Sequence, residues 1–115
     1  MSFVQRNIQN WRDGKRIEDY CIGHGYSRPD IFALREIHRL HLEQEDGSLD
    51  GTVQEALETM ARSTESQKQI AKAIFLKINP IKDAMDALFR FVDDPNYANK
   101  ILSAYQTDVK PNLNL

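Results

Sequence analysis

The sequence predicts an all-α protein, a small bundle of about five to six helices. No stretch of useful length alternates apolar and polar residues with period two, so no strand is predicted. Apolar residues instead recur every three or four positions in several segments, as on the buried side of a helix. Pro29, Pro80 and Pro95 can each begin or interrupt a helix. We expect a three-helix N-terminal unit and a C-terminal helical hairpin.

The length and composition are those of one soluble domain over residues 1–115. With 41% hydrophobic and 28% charged residues, the chain can bury one modest core. Its single cysteine cannot form an internal disulfide, which favours a reducing compartment. Residues 1–16 lack the apolar core of a signal peptide, and the run 73–76 is too short to span a bilayer. We therefore expect a cytoplasmic protein with no membrane partner.

Residues 1–44 are predicted to form the three-helix unit. The first helix begins after Ser2, a good N-cap, and ends near Arg12, because Asp13-Gly14 is a turn signal. A short second helix covers 15–22, and a third runs over 29–43. The glycines and Pro29 between them indicate a tight corner.

Residues 52–106 are predicted to form the packing and dimerisation part. Thr52 and Glu55 match a capping box, in which each side chain bonds a free amide of the first helical turn. The helix that they begin runs over 53–78 with a heptad-like apolar seam, which is the predicted homodimer interface. The proposed interface residues are Leu57, Met60, Ile70, Ile74 and Ile78.

The remaining C-terminal segments follow from proline positions. Asn79-Pro80 should kink or end the long helix, and a further helical segment follows over 81–92. Asp94-Pro95 should begin the last helix, with Tyr105 among its inward residues. Residues 107–115 are predicted to be a loose tail.

Between residues 20 and 34 the chain has a small residue, a glycine four positions on, and apolar residues at fixed spacings. The residues in this register are Cys21, Gly25, Tyr26, Ser27, Ile31 and Leu34. The pattern resembles the DNA-binding helix-turn-helix motif, although His24 stands where an apolar residue is usual. The resemblance covers about fifteen residues and implies that the second helix of the motif enters the major groove of DNA.

The helix after this corner has an arginine stripe. At about 100° per residue, Arg28, Arg35 and Arg39 fall within an arc of roughly 40°. Arginines placed in this way can contact phosphates and guanine edges. The predicted DNA-binding residues are Ser27, Arg28, Phe32, Arg35 and Arg39. Alternatively, the stripe is a solvated face in which nearby glutamates pair with Arg39 at helical spacing.

Four potential zinc ligands lie in the same region. Cys21 and His24 are three positions apart, as are His38 and His41, and zinc favours four ligands in such close pairs. Alternatively, Cys21 is a small core residue and the histidines form hydrogen bonds within the protein. Apart from this possible zinc site we expect no cofactor. The chain has no Gly-rich phosphate loop and no identifiable nucleophile–base arrangement, so we expect a non-enzymatic protein.

The net charge of −2 conceals an acidic middle segment. Residues 42–65 have one Lys or Arg against seven Asp or Glu, whereas the flanking parts are weakly basic. Two functions follow. The first is a small DNA-binding regulator that dimerises; the alternative is a protein–protein interaction or adaptor module that binds no nucleic acid. The acidic segment favours the alternative if it lies near the arginine stripe, because it would repel DNA.

Overall fold

The computed structural model describes residues 3–78 and 82–113, and it confirms the all-α bundle. The helices are α1 (Phe3–Gly23), α2 (Arg28–Glu45), α3 (Val53–Ala61), α4 (Glu65–Ile78), α5 (Lys82–Asp93) and α6 (Pro95–Ala104). A π-helical segment, Tyr105–Val109, and a short helix α7, Lys110–Leu113, complete the described chain. The predicted N-cap Ser2 and the predicted break at Asn79-Pro80 lie outside the described residues.

Helix α2 is the central element of the bundle. It packs against α1 on one side and α5 and α6 on others, and α3 contacts both α2 and α6. One apolar core therefore draws on all of these helices. Its most completely buried members are Ile17, Cys21, Leu34, Ile37, Phe91, Ile101, Tyr105 and Val109. A Cα radius of gyration of 13.5 Å is the value expected for one compact domain of this length.

The predicted break at Asp13-Gly14 is wrong, because α1 continues through it to Gly23. The Asp13 carboxylate is buried and accepts a hydrogen bond from His38 instead of forming a turn. Gly14 lies where the Arg35 side chain crosses α1, and a Cβ there would come within 2.9 Å of Arg35 Nε. Tertiary contacts thus override the local turn signal. The predicted three-helix unit is consequently a hairpin of two helices.

The corner between α1 and α2 follows from its turn residues. Gly25 has φ 78°, a left-handed conformation that glycine adopts without steric cost. Ser27 is the N-cap of α2, and its hydroxyl accepts a hydrogen bond from the Asp30 amide at 3.3 Å. Pro29 occupies the first turn, where the missing N–H costs nothing.

The capping box at the start of α3 is confirmed. The Glu55 amide donates to Thr52 Oγ1 at 3.1 Å, and the Thr52 amide donates to Glu55 Oε2 at 3.4 Å. The start of this helix therefore follows from two residues only three positions apart in the sequence.

The predicted continuous helix over 53–78 is wrong, because α3 ends at Ala61 and α4 begins at Glu65. A second capping arrangement explains the break. The Gln67 amide donates to Thr64 Oγ1 at 3.2 Å, and the Thr64 amide donates to Gln67 Oε1 at 3.0 Å. Thr64 and Gln67, which lie in the middle of the predicted helix, thus begin a new helix.

The last helix begins as predicted, but the tail differs. Asp94 caps α6 by accepting hydrogen bonds from the amides of Asn96 and Tyr97 at 3.0 and 3.2 Å. The tail predicted to be loose from residue 107 is instead helical through Leu113, and Val109 is fully buried. Its burial against the core stabilises a segment whose sequence alone looks polar.

Candidate functional site

The predicted recognition helix, α2, is enclosed by the bundle. Within 29–43, all of which the structure describes, no residue is classed as exposed; Arg28 at the first position is exposed. A recognition helix needs a free face to enter a major groove about 12 Å wide. The enclosure of α2 therefore favours a role in the core over a role in reading DNA.

Two of the three stripe arginines are paired with glutamates of the same chain. Arg39 donates from Nε to Glu36 Oε1 at 3.0 Å and from Nη1 to Glu43 Oε1 at 2.6 Å, which confirms the predicted pairing. Arg35 Nη1 lies 3.8 Å from Glu18 Oε2. Much of the positive charge along the stripe is therefore neutralised locally.

The other predicted DNA contacts are divided between capping and packing. Ser27 directs its hydroxyl to the α2 N-terminus, and Phe32 is half-buried. Arg28 remains exposed and has no ion pair within the described part of the chain. The acidic segment begins near Glu43, at the opposite end of α2 from Arg28. Fifteen residues of helix, about 22 Å, separate the two positions.

The four candidate zinc ligands are not brought together. His24 is exposed, stacks on the Tyr20 ring and bonds the Tyr20 carbonyl through Nδ1 at 2.8 Å. Cys21 is buried in the core, and this burial raises the pKa of its thiol to about 11. Residues 3–78 and 82–113 contain no group of three or more His, Cys, Asp or Glu side chains arranged to bind a metal ion.

His38 instead joins three segments through a buried chain of hydrogen bonds. Its Nε2 lies 2.9 Å from Asp13 Oδ2 and its Nδ1 lies 2.6 Å from the Tyr105 hydroxyl. An ionised Asp13 can only accept, so the neutral ring donates from Nε2 and accepts the Tyr105 proton at Nδ1. Burial lowers the pKa of His38, and the hydrogen bond that its ring donates to Asp13 only partly opposes this effect.

The hydrogen bonds among Asp13, His38 and Tyr105 connect distant parts of the fold. A carboxylate that orients a histidine occurs in catalytic triads. Here, however, Asp13, His38 and Tyr105 are all buried, with 5%, 3% and 1% of their surface exposed, and a substrate has no access. His41 stacks on Tyr105 with ring centroids 5.0 Å apart, and burial lowers its pKa as well. No sequence spacing could have indicated this cluster, because its members come from distant parts of the chain.

Exposed apolar side chains lie along one side of α1, with charged residues between Trp11 and Ile22 on the same side. Val4, Ile8, Trp11 and Ile22 are 65%, 48%, 71% and 59% exposed. They fall within an arc of about 60°, on the side of α1 away from the buried Ile17. We call this surface the α1 outer face.

A shallow notch lies at the C-terminal end of the α1 outer face. Ile22, Ile31 and Phe32 provide its apolar lining, and Glu18, Arg28 and Arg35 stand around it. The residues predicted to read DNA thus meet the apolar surface of α1 at this point.

The predicted dimer seam is divided between two helices. Leu57 is buried in the protein's own core and Met60 packs against that core, so neither is available to a partner. Ile70 and Ile74 on α4 are 62% and 51% exposed. We call their surface the α4 outer face. The side chain of Ile78, the fifth predicted interface residue, lies outside the described side chains.

Helix α4 is the most peripheral of the longer helices. It packs against α5, to which a Lys72–Asp93 ion pair of 2.8 Å also joins it. None of its described side chains is buried. An isolated helix of this length is marginally stable in water, so an additional packing partner would stabilise α4.

No family model matches the chain, and no curated protein or solved structure is significantly similar to it. Across the described residues, none of the helices combines the length and apolar character needed to cross a bilayer. A function can therefore be assigned only from the surfaces and charges of the chain itself.

Proposed function

We propose that the protein is a non-enzymatic, dimeric protein-interaction module. One observation carries this proposal. All six of the exposed large apolar side chains among the described residues lie on the α1 and α4 outer faces. Exposed large apolar side chains that cluster on one side of a helix are typical of interaction sites. The enclosure of α2 and the local pairing of Arg35 and Arg39 support the same choice over DNA binding.

The α4 outer face is suited to a second copy of the chain. Ser66, Ile70, Ala73 and Lys77 follow one another at spacings of four, three and four along its exposed side. In an antiparallel pair centred between residues 71 and 72, Ile70 of each chain would lie opposite Ala73 of the other. A large residue then packs against a small one, twice over, as a two-fold interface requires.

The charges at the two ends of α4 support the same arrangement. Glu65 lies in the first turn and Lys77 in the last. The antiparallel pair would bring Glu65 of each chain beside Lys77 of the other, which is favourable at both ends. The dimer would present two α1 outer faces, and two linked sites bind a repeated partner more tightly than one.

The test is the oligomeric state in solution. Light scattering at micromolar concentration should give the mass of a dimer, and Ile74→Asp should give a monomer with an unchanged circular dichroism spectrum. Ile22→Asp places the same charge at a similarly exposed isoleucine on α1 and should leave the dimer intact. A wild-type monomer at about 50 μM would contradict the proposal.

DNA binding remains the second candidate, because Arg28 is exposed and unpaired within the described residues at the start of α2. Fluorescence anisotropy with a mixed-sequence duplex at low salt distinguishes the two functions. The interaction module predicts no binding at tens of micromolar protein. Salt-dependent binding that Arg28→Ala weakens by about 1–3 kcal/mol would favour the regulator instead.

A further inference from the structure

We propose that the α1 outer face binds an amphipathic helix of another protein, one whose apolar stripe is flanked by acidic residues. This inference rests on the proposed function as an interaction module and names the partner. It concerns the α1 outer face and the notch beside it, and therefore does not depend on whether α4 forms a dimer.

The shape of the surface fits a helix laid along α1. Val4 and Ile22 are eighteen residues apart, so the face is about 27 Å long, the length of five helical turns. Ile8 and Trp11 lie between them at helical spacing. An amphipathic helix with apolar residues at intervals of three and four can contact Val4, Ile8 and Trp11 in turn, and it would pass over Lys15 before it reaches Ile22. Trp11 is the natural anchor, because buried tryptophans contribute strongly to binding at interfaces.

The notch at the end of the face provides a second anchor point. A partner's apolar side chain that lies over it would contact Ile22 and Phe32, which are exposed and half-buried in the free chain. Arg28 stands beside this notch without an ion pair in the described part of the chain, and it would face an acidic residue adjacent to that side chain. The notch is therefore suited to a partner that has an apolar residue next to a carboxylate.

The charge along the face selects an acidic partner. Arg12 and Arg16 are exposed along one flank and have no ion pair within the described residues, and with Ile8 they line an open groove. Lys15 contacts Asp19 at 3.5 Å, but both side chains are about two-thirds exposed and the pair is weak. A partner helix with glutamates on its flank would neutralise these cations and approach faster.

The same charges disfavour two other occupants. In an antiparallel pair with a second copy, the flank that carries Arg12 and Arg16 would face the same flank of the copy, and like charges would repel. A flat anionic bilayer would meet the exposed carboxylate of Asp19 and would not reach into the notch. An acidic amphipathic helix avoids the repulsion between two arginine flanks, and its separate side chains allow an uncharged residue opposite Asp19.

Trp11 makes the test direct, because it is the only tryptophan of the chain and lies on the face itself. The probe is a synthetic helical peptide of about 20 residues with leucines at heptad a and d positions and glutamates on the flanks. Titrating it into the full chain should shift Trp11 emission to shorter wavelength and saturate. The same peptide with lysine for glutamate should bind at least about tenfold more weakly.

Variants that keep Trp11 locate the site. The double substitution Arg12→Glu with Arg16→Glu should weaken binding of the acidic peptide by about tenfold or more. Ile8→Asp should abolish the emission shift. Ile70→Asp, an equally exposed position on α4, should leave it unchanged. All of these positions are exposed in the folded chain, and thermal melts followed by circular dichroism check that each variant remains folded.

Three results would overturn the inference. The first is no emission shift up to about 100 μM acidic peptide. The second is equal binding of the acidic and basic peptides. The third is a shift with phosphatidylglycerol vesicles that is stronger than with the peptide, which would assign the face to lipid. A dimer that binds no peptide would overturn this inference alone, whereas a monomer that binds the acidic peptide would support it and remove the dimer.

Discussion

His38 lies at the centre of the fold with both ring nitrogens engaged and 3% of its surface exposed. The ring sits between a carboxylate and a phenol, and this arrangement fixes its neutral tautomer. His41 is close by, and its Nε2 is buried without a hydrogen-bond partner in the described residues. Burial lowers the pKa of both histidines, which favours the neutral form of each ring.

The free energy of unfolding should fall as the pH is lowered through about 6.5, the ordinary histidine pKa in an unfolded chain. Because folding lowers the pKa of His38 and His41, the unfolded chain binds protons at a higher pH than the folded chain does. Their stabilising contribution is complete above that pH and is lost below it, by about 1–2 kcal/mol between pH 7 and pH 5.5. Urea titrations at a series of pH values measure this change.

The matched control is His24→Gln, which removes an exposed ring and should keep the pH dependence of the wild type. His38→Gln should reduce the slope between pH 7 and pH 5.5, although it also lowers the stability at pH 7. A wild-type stability that is constant over this range would contradict the assignment of neutral, buried histidines.

Helices α2, α3 and α4 each begin at a residue whose side chain caps the first turn. Ser27 caps α2, Thr52 caps α3 and Thr64 performs the same role for α4. These hydrogen bonds connect residues only three positions apart, and they satisfy amides that would otherwise lack a partner. Local capping thus explains why α3 and α4 are separate helices although the apolar pattern continues across the break.

Asp94→Ala should destabilise the protein by about 1 kcal/mol, with a range of roughly 0.5–2 kcal/mol. The Asp94 side chain accepts from two amides at the start of α6, and α6 contributes the buried Ile101 and Leu102 to the core. Asp94→Asn retains a capping oxygen and should cost distinctly less. Chemical denaturation of the two variants provides the comparison, and equal losses would show that the cap is unimportant.

The whole molecule is closed by its C-terminal segment, which returns to the helix that begins the described chain. The Asp108 carboxylate accepts hydrogen bonds from Tyr20 at 2.8 Å and from Tyr26, and these bonds lower its pKa. Tyr105 and Val109 lie on the buried side of the same segment. The segment therefore joins α1, the α1–α2 corner and the core.

Val109→Asp should unfold the protein or destabilise it by at least about 4 kcal/mol, because it buries a charge that has no partner. Thr107→Asp, an exposed position two residues away, introduces the same charge and should cost less than about 1 kcal/mol. Thermal unfolding followed by circular dichroism gives both values. If Val109→Asp were as stable as Thr107→Asp, the C-terminal segment would not belong to the core.

The sequence by itself determined the helical class, the helix starts at Thr52 and Asp94, and the corner at Gly25. Each of these depends on residues within a few positions of one another, whose chemistry is the same in any surroundings. The sequence also predicted that Arg39 can pair with Glu36 and Glu43, because these residues lie three and four positions from it on one helix.

Only the tertiary structure decided which surfaces remained free. Asp13 is a core residue because it accepts a hydrogen bond from His38, which is 25 positions away in the sequence. The segment after residue 104 packs onto the bundle because Asp108 accepts a hydrogen bond from Tyr20, 88 positions away. Which side of α2 and of α4 is buried likewise depends on the helices that pack against them. A helical pattern states that one side is apolar, but the packing of distant segments decides which apolar residues are covered and which, like Trp11 and Ile70, remain for a partner.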